Sequence, residues 1–158
     1  MGRRQQGRTA ALAATIEDRV TDSFNRQGLM LHLGADIDEV SPGFVRIRLP
    51  FAETLTQQHG YFHAGATSAI ADSAGGYAGL TVFPEGSSVL TVEFKVNLVA
   101  PARGDWLEAE GKVVRSGRTL TICQLEVYGV AAGLRTLVAL GQQTLIAIAP
   151  RDQRETPE

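Results

Sequence analysis

A short segment in the first half of the chain places polar, histidine and glycine residues ahead of an acid. It runs from Gln57 to Gly65 as Gln-Gln-His-Gly-Tyr-Phe-His-Ala-Gly, and Asp72 follows within a stretch of Ala, Gly and Ser. A buried carboxylate without a partner is costly, so Asp72 requires a salt bridge, a hydrogen-bond network or a function. The residues alone leave two interpretations open: Asp72 faces solvent or caps a neighbouring element, or it does chemistry.

The segment from Ala64 to Val82 contains no proline and little charge, and its small residues predict a helix that packs closely on all sides. Gly75 and Gly76 weaken an isolated helix, and the close approach of a sheet or partner helix would explain them. The first N–H groups of a helix lack intrahelical partners and carry the positive end of the dipole. They therefore suit a developing oxyanion.

The pattern Gly-x-x-His-x-Gly at Gly60, His63 and Gly65, followed by Ile-Ala-Asp at 70–72, resembles the active-site segment of a known family. That family is the phenylacetic-acid-degradation type of hotdog thioesterase, and the resemblance spans 29–148. It implies an α+β hotdog fold, an antiparallel sheet wrapped around a central helix, here with an extra N-terminal helix. It also implies hydrolysis of an acyl-CoA thioester to free acid and CoA, in which CoA is part of the substrate and no cofactor is needed.

The resemblance also assigns roles. Asp72, nine residues after His63, would act as general base or nucleophile, and the Ala64 backbone N–H would polarise the thioester carbonyl. Gln57 stands where the family usually has Asn, and Ala64 stands where it usually has the first Gly of a pair. Thr91 aligns with a position where some relatives place a water-orienting Ser, so it is a second catalytic candidate; an ordinary strand threonine is the alternative.

Helix geometry makes a prediction about assembly. Ala64 and Asp72 are eight residues apart in sequence, which corresponds to about 12 Å along a helix. They cannot serve one carbonyl together, whereas an antiparallel helix from a second subunit would bring its Asp72 beside Ala64. We therefore expect a homodimer, and with the resemblance a dimer of dimers.

Further residues are candidates for substrate binding. Arg103, Arg115 and Arg118 lie in predicted turns and could contact the CoA phosphates, although solvated turn arginines are the plain alternative. The loop glycines Gly60 and Gly65 would shape the site together with His63. Aromatic side chains beside the helix could line an acyl pocket or belong to the core, and these are Tyr61, Phe62 and Tyr77.

Apolar periodicity predicts the surrounding elements. Leu12, Ile16, Val20 and Phe24 form a helical stripe within 9–27, with Gly28 as its stop. Runs at 29–40 and 44–51 flank Ser-Pro-Gly and predict a hairpin. The predicted division is a tail and helix at 1–28, a hotdog domain at 29–150 and a tail at 151–158.

Four more strands are predicted after the central helix. In the first, an alternating apolar face is expected to belong to the core; it consists of Leu90, Val92, Phe94, Val96 and Leu98. Alternating runs at 107–113, 120–128 and 134–148 follow, with hairpin-length connections. We expect the four strands to form an antiparallel meander.

Composition excludes several classes of function. The chain has 158 residues, a net charge of -2 and a pI near 5.9, which argues against a nucleic-acid partner. No run of 18 apolar residues exists, so we expect no membrane span and a cytoplasmic location. Cys123, the only cysteine, is expected to be an inert buried thiol. His59 and His63 lack a third ligand nearby, so no metal is predicted.

Two other functions compete with hydrolysis. The departures at Gln57 and Ala64 would suit a hotdog protein that binds acyl-CoA without turning it over. His63 would suit a hydratase acting on enoyl or hydroxyacyl thioesters.

Overall fold

The structure is a computed structural model that describes residues 16–150. Helix α1, whose described part is 16–24, and the short helix α2 (Gly28–Leu33) precede the hairpin of β1 (Asp36–Ser41) and β2 (Phe44–Pro50). A 3-10 turn and a long helix, α3 (Ala64–Leu80), come next. The last four strands are β3 (Ser88–Leu98), β4 (Trp106–Ser116), β5 (Thr121–Ala131) and β6 (Leu134–Ile148). No described helix is long and apolar enough to cross a membrane.

All six strands form one antiparallel sheet in the order β1-β2-β4-β5-β6-β3, and α3 packs against it. The predicted sheet around one central helix is thus present. Close packing depends on glycines: an added Cβ at Gly75 would overlap Gln143 and Leu125, and one at Gly111 in β4 would overlap the α3 backbone at Ala74. The close approach of a sheet predicted for Gly75 is therefore confirmed.

The predicted order of the strands is wrong at one position. Strands β4, β5 and β6 form a meander, but β3 pairs with β6 and not with β4. The connection at 99–105 therefore spans the sheet from its β3 edge to β4, and β3 has no strand partner among residues 16–150 on its other side. Sequential strands are usually neighbours, but here the local connection length was misleading.

The core face predicted for β3 is correct only from Phe94 onward, where Phe94, Val96 and Leu98 project to the helix side. Leu90 lies opposite Ile146 and projects to the other side. Directly opposed residues of an antiparallel pair project to the same face, and Thr91 lies opposite Leu145 while Phe94 lies opposite Gln143. Because a bulge between Thr91 and Glu93 inserts a residue, Thr91 and Phe94 share the helix side although they are three apart. No residue of β3 is fully buried.

The elements before β1 differ from the prediction as well. Helix α1 ends at residue 24, and Gly28 begins α2, so the first half of the run at 29–40 is helical. Gly34, at a φ of 74°, ends α2 in the left-handed conformation that favours glycine. Val20 and Phe24 of α1 are buried in the main core. Leu12, the part of the predicted tail and helix before residue 16, and the predicted tail at 151–158 lie outside the described residues.

Candidate active site

Asp72 lies halfway along α3, half-buried, with a network of hydrogen bonds around its carboxylate. The Thr91 hydroxyl donates to Asp72 Oδ1 at 2.8 Å, and the Gln143 amide Nε2 donates to the same oxygen at 2.6 Å. Both donors come from the sheet, Thr91 from β3 and Gln143 from the adjacent strand β6. Asp72 thus has the hydrogen-bond network that a carboxylate on this helix requires, and Oδ2 accepts no hydrogen bond from any residue within 16–150.

A cleft of about 620 Å³ opens beside Asp72, between α1, α3 and the start of β3. We call it the Asp72 cleft. The wall formed by α1 and the turn after it contributes polar side chains, among them Ser23, Arg26 and Gln27, and α3 contributes Ser73 and Tyr77. Burial raises the pKa of the Tyr77 phenol, while the Ser23 hydrogen bond and the Arg26 charge oppose this rise.

The start of α3 presents an unused backbone donor. His63 is the N-cap, with its side-chain Nδ1 accepting a hydrogen bond from the Gly65 N–H at 2.8 Å and its carbonyl accepting one from the Thr67 N–H at 3.1 Å. The Ala64 N–H donates to no acceptor within residues 16–150. Ala64 is exposed, so this N–H and the helix dipole are available to an anionic oxygen.

The loop before α3 is closed by its own hydrogen bonds. The Gln57 N–H donates to the Tyr61 carbonyl at 2.9 Å, and the Gly60 N–H donates to the Gln57 carbonyl at 3.0 Å. Gln57 Oε1 accepts from the His59 N–H. Gly60 has a φ of 79°, which a side chain would strain. The loop is therefore a tight turn that leads into the helix start.

A second cleft, of about 450 Å³, lies at the start of α3. We call it the Ala64 cleft. It is lined by Gln57, Tyr61, Phe62 and Ala64 together with the end of β3 and the chain that follows it, 98–102. Phe62 is buried and packs edge-on against Phe51, whereas Tyr61 is half-buried. The structure thus brings four of the predicted site residues together here, without Asp72.

The two clefts lie at opposite ends of β3. The Asp72 cleft includes residues 86–91 and the Ala64 cleft includes residues 98–102. Because α3 is continuous from Ala64 through Asp72, the two backbones stay about 12 Å apart along it. A single chain therefore carries both halves of the predicted chemistry but does not join them.

The three predicted phosphate-binding arginines do not form one group in a single chain. The Arg103 guanidinium lies 4.3 Å from the centre of the Tyr61 ring and donates a hydrogen bond to its hydroxyl, next to the Ala64 cleft. Arg115 and Arg118 lie at the other end of β4, which is 11 residues long. The Arg103 backbone lies beside Gly129, which pairs with Leu107 near the start of β4. At about 3.3 Å per residue, Arg115 is therefore roughly 25 Å farther along the strand.

Neither a reactive thiol nor a metal-binding cluster is present among the described residues. Cys123 is fully buried in β5, and burial raises the pKa of its thiol to about 12, so it is a protonated core thiol. Among residues 16–150, no group of three or more His, Cys, Asp or Glu side chains could hold a metal ion.

Sequence reasoning missed Gln143. This residue is 1% exposed and contacts both Asp72 and Thr91. A signal existed, because the strongly apolar strand 134–148 contains an adjacent pair of glutamines. One member of such a pair must face the core, since neighbouring strand residues point to opposite faces, and a buried amide needs partners.

Comparisons with known proteins agree with the fold. Residues 59–130 match the model of the family described as the thioesterase superfamily. A crystal structure of a thioesterase family protein from Silicibacter pomeroyi has a TM-score of 0.82 at 43% identity, covering 85% of this chain and 98% of that one. The PaaI protein of E. coli, from the phenylacetic acid degradation operon, has a TM-score of 0.76 at 20% identity over 88% of this chain and 97% of that one, and this likeness supports the fold alone.

Proteins with related sequences identify the family of this chain. A protein of Halobacterium salinarum that is provisionally named an esterase is 35% identical over 120 residues, which cover 73% of this chain and 76% of that protein. The proofreading thioesterase EntH of Klebsiella pneumoniae is 25% identical over 100 residues, 63% of this chain and 73% of that protein. With its antiparallel sheet around one long helix, the chain belongs to the hotdog-fold thioesterase superfamily.

Proposed function

We propose that this chain hydrolyses acyl-CoA thioesters at a site formed between two copies of itself. The observation that carries the proposal is the half-buried Asp72 carboxylate, whose Oδ1 accepts two hydrogen bonds while the neighbouring cleft is open to a substrate. A carboxylate held in this way beside a cleft can serve as a general base on water or as a nucleophile.

The second half of the site is the start of α3 from a partner subunit. A two-fold axis at the middle of β3 would pair the two copies of this strand antiparallel. The beginning of one β3 would then lie beside the end of the other, so that the Asp72 cleft of one copy meets the Ala64 cleft of its partner. The partner's Ala64 N–H would then bind the carbonyl oxygen of the thioester.

The surface of β3 supports this pairing. Within the described part of the chain, the strand is an edge that pairs with β6 on one side only, and its exposed apolar side chains are Leu90, Val92, Phe94 and Leu98. Unprotected edges of this kind tend to pair with another chain. The exposed side of α3 beside it consists of Gly65, Ser68, Ala69 and Asp72, small enough for a second helix to pack closely.

In the proposed reaction, Asp72 either accepts a proton from water as the water attacks the thioester carbonyl, or attacks that carbon itself to give an anhydride that water then hydrolyses. The negative charge on the carbonyl oxygen is bound by the Ala64 N–H in both routes, and the CoA thiolate leaves. Arg103, beside the Ala64 cleft, is the arginine best placed to contact the CoA phosphates.

The first experiment measures thiol release from a panel of aliphatic and aryl acyl-CoAs. Asp72→Ala should reduce kcat by about 100-fold or more, as expected for the loss of an acid/base group. Full activity in this variant would refute the assigned role. Saturable binding of acyl-CoA without thiol release from wild-type protein would instead indicate a binding protein.

A second experiment removes the backbone donor with little change to the fold. Ala64 is the first residue of α3, where proline is well tolerated, and His63 before it has the extended conformation that precedes proline, with φ of -65° and ψ of 141°. Ala64→Pro should lower kcat by about 100-fold. Ala64→Gly keeps the N–H and should retain activity.

Mixing these two variants tests the composite site. A mixed dimer of Asp72→Ala with Ala64→Pro contains one doubly defective site and one intact site, so it should recover activity up to half of the wild-type value. If each site lay within one subunit, every site in the mixture would stay defective. No recovery in a verified mixed dimer would therefore contradict the shared site.

A further inference from the structure

We propose that Gln143 is a positioning residue for Asp72: its amide fixes Oδ1 and thereby leaves Oδ2 to face the substrate. This inference rests on the proposed role of Asp72. Gln143 lies on β6, on the helix side of the sheet, and its side chain is 1% exposed. It reaches Asp72 from beneath, on the side away from the Asp72 cleft, whose lining it does not join.

The surroundings of the amide determine which end faces Asp72. Gln143 Nε2 lies 2.6 Å from Asp72 Oδ1, 3.1 Å from the Asp72 carbonyl oxygen and 3.0 Å from Thr91 Oγ1. The two Asp72 atoms can only accept hydrogen bonds, so the NH2 end must point toward them. Nε2 carries two hydrogens for these three acceptors, so one hydrogen is shared between two of them, and the amide holds both the backbone and the side chain of Asp72.

Gln143 also orients the Thr91 hydroxyl. Because Thr91 Oγ1 accepts from Gln143 Nε2, its own hydrogen is free to point at Asp72 Oδ1, which lies 2.8 Å away. The three side chains therefore form a closed triangle in which Oδ1 receives two hydrogen bonds. The other carboxylate oxygen, Oδ2, is left for a proton or a carbonyl carbon.

The other end of the amide argues that Gln143 does not serve packing alone. Gln143 Oε1 is buried and has no hydrogen-bond partner among residues 16–150, and an unpaired buried acceptor destabilises a fold. Gly75 leaves room for this oxygen, since a Cβ there would overlap it. A residue that only filled space here would stabilise the fold better as an apolar side chain, so the geometry points to the contact of Nε2 with Asp72 as the role of Gln143.

The test substitutes Gln143→Leu, with Gln142→Leu as the matched control. Gln142 precedes Gln143 on the same strand, is exposed, and lines a different surface with Lys95 and Gln124. Gln143→Leu should lower kcat for acyl-CoA hydrolysis by about 10-fold to 100-fold, the factor expected for a hydrogen bond to a charged group. Its KM should change by less than about threefold. Its Tm should change little, because removal of the unpaired Oε1 offsets the loss of the hydrogen bonds to Asp72. Gln142→Leu should leave kcat unchanged.

A double-variant cycle separates positioning from general damage. In the Asp72→Ala background, Gln143→Leu should not reduce the residual rate further, because the group that it positions is gone. If Gln143→Leu does not fold, Gln143→Met takes its place in both measurements, since it keeps about the length of the side chain but cannot donate a hydrogen bond.

The outcomes are distinct for the two proposals. If Asp72→Ala abolishes hydrolysis but the Gln143 variant keeps kcat within twofold of wild type, the positioning role is overturned and the proposed function stands. A fall in kcat that is matched by a fall in Tm and persists in the Asp72→Ala background would also overturn it, as damage to the core. Full activity in Asp72→Ala itself would overturn the proposed function.

Discussion

Strands β3 and β5 have the same length and opposite surroundings. Both contain 11 residues with alternating apolar side chains, but β5 lies between β4 and β6 and buries six residues outright, whereas β3 buries none. Alternation in a sequence therefore indicates that a strand has an apolar face to cover. It does not indicate whether the cover comes from the same chain or from another copy.

The largest expected effect comes from the central strand. Leu125 in β5 is 1% exposed and packs beside Gly75 of α3. Leu125→Ala should lower the free energy of unfolding by about 2–5 kcal/mol, because it removes buried methyl groups and leaves a cavity. Urea or thermal unfolding would measure this change. A shift of the midpoint no larger than that of a surface substitution would mean that β5 does not anchor the core.

A substitution in the edge strand β3 should weaken self-association of the protein without unfolding it. Phe94 in β3 is 44% exposed on the helix side, so Phe94→Asp should weaken self-association by about 2 kcal/mol or more, as at an interface hot spot, and activity should fall with it. Analytical ultracentrifugation and circular dichroism would show monomers with the wild-type secondary structure. Leu134→Asp, at a side chain that is 74% exposed outside β3, is the control. Phe94→Asp protein that remains dimeric and active would contradict the proposed interface.

A matched pair of threonines sharpens the comparison. Thr91 of β3 and Thr121 of β5 lie opposite the same residue of β6, Leu145. Thr91 donates to Asp72, whereas Thr121 contacts the Ser116 hydroxyl at 2.9 Å. Thr91→Val should therefore lower kcat by about 10-fold. Thr121→Val should leave kcat within about twofold and lower stability by about 1 kcal/mol. Equal effects of the two substitutions on kcat would remove Thr91 from the site.

The smallest expected effect concerns Cys123, whose thiol should not react with a thiol reagent in the folded protein. The pKa of the Cys123 thiol in β5 is raised to about 12 by burial, so it stays protonated at pH 8 in the folded protein, and thiolate forms readily only after unfolding. A thiol reagent at pH 8 should therefore label Cys123 only at the rate of unfolding. Rapid labelling of native protein would show that β5 is open to solvent.

Local features could be predicted from the sequence and nonlocal ones could not. Helix α3 begins at Ala64 as expected, because small residues without proline and a capping histidine act within one segment. The pairing of β3 with β6 joins residues about fifty positions apart, such as Phe94 and Gln143. Nothing in the short connection after Leu98 indicates that the chain crosses the sheet before β4 begins.

The candidate site also has a local part that could be predicted from the sequence and a nonlocal part that could not. The spacing from Gln57 to Asp72 placed one carboxylate and one helix start, since both depend on a single continuous stretch of chain. Gln143 could not be chosen over Gln142, because which of two adjacent identical side chains faces inward depends on the strand's register with its neighbours. The bulge after Thr91 has no counterpart in the residue pattern.

Helix α1 lies outside the sheet, yet it forms one wall of the Asp72 cleft. It is anchored by Val20 and Phe24, and the side chains that reach the cleft lie between these anchors, as Ser23 does, or in the turn after the helix, as Arg26 does. Substitutions at such positions would reshape the Asp72 cleft without disturbing a strand or the central helix. Under the proposed function, a preference for one acid over another can thus diverge between descendants while Asp72 and its hydrogen-bond partners are inherited unchanged.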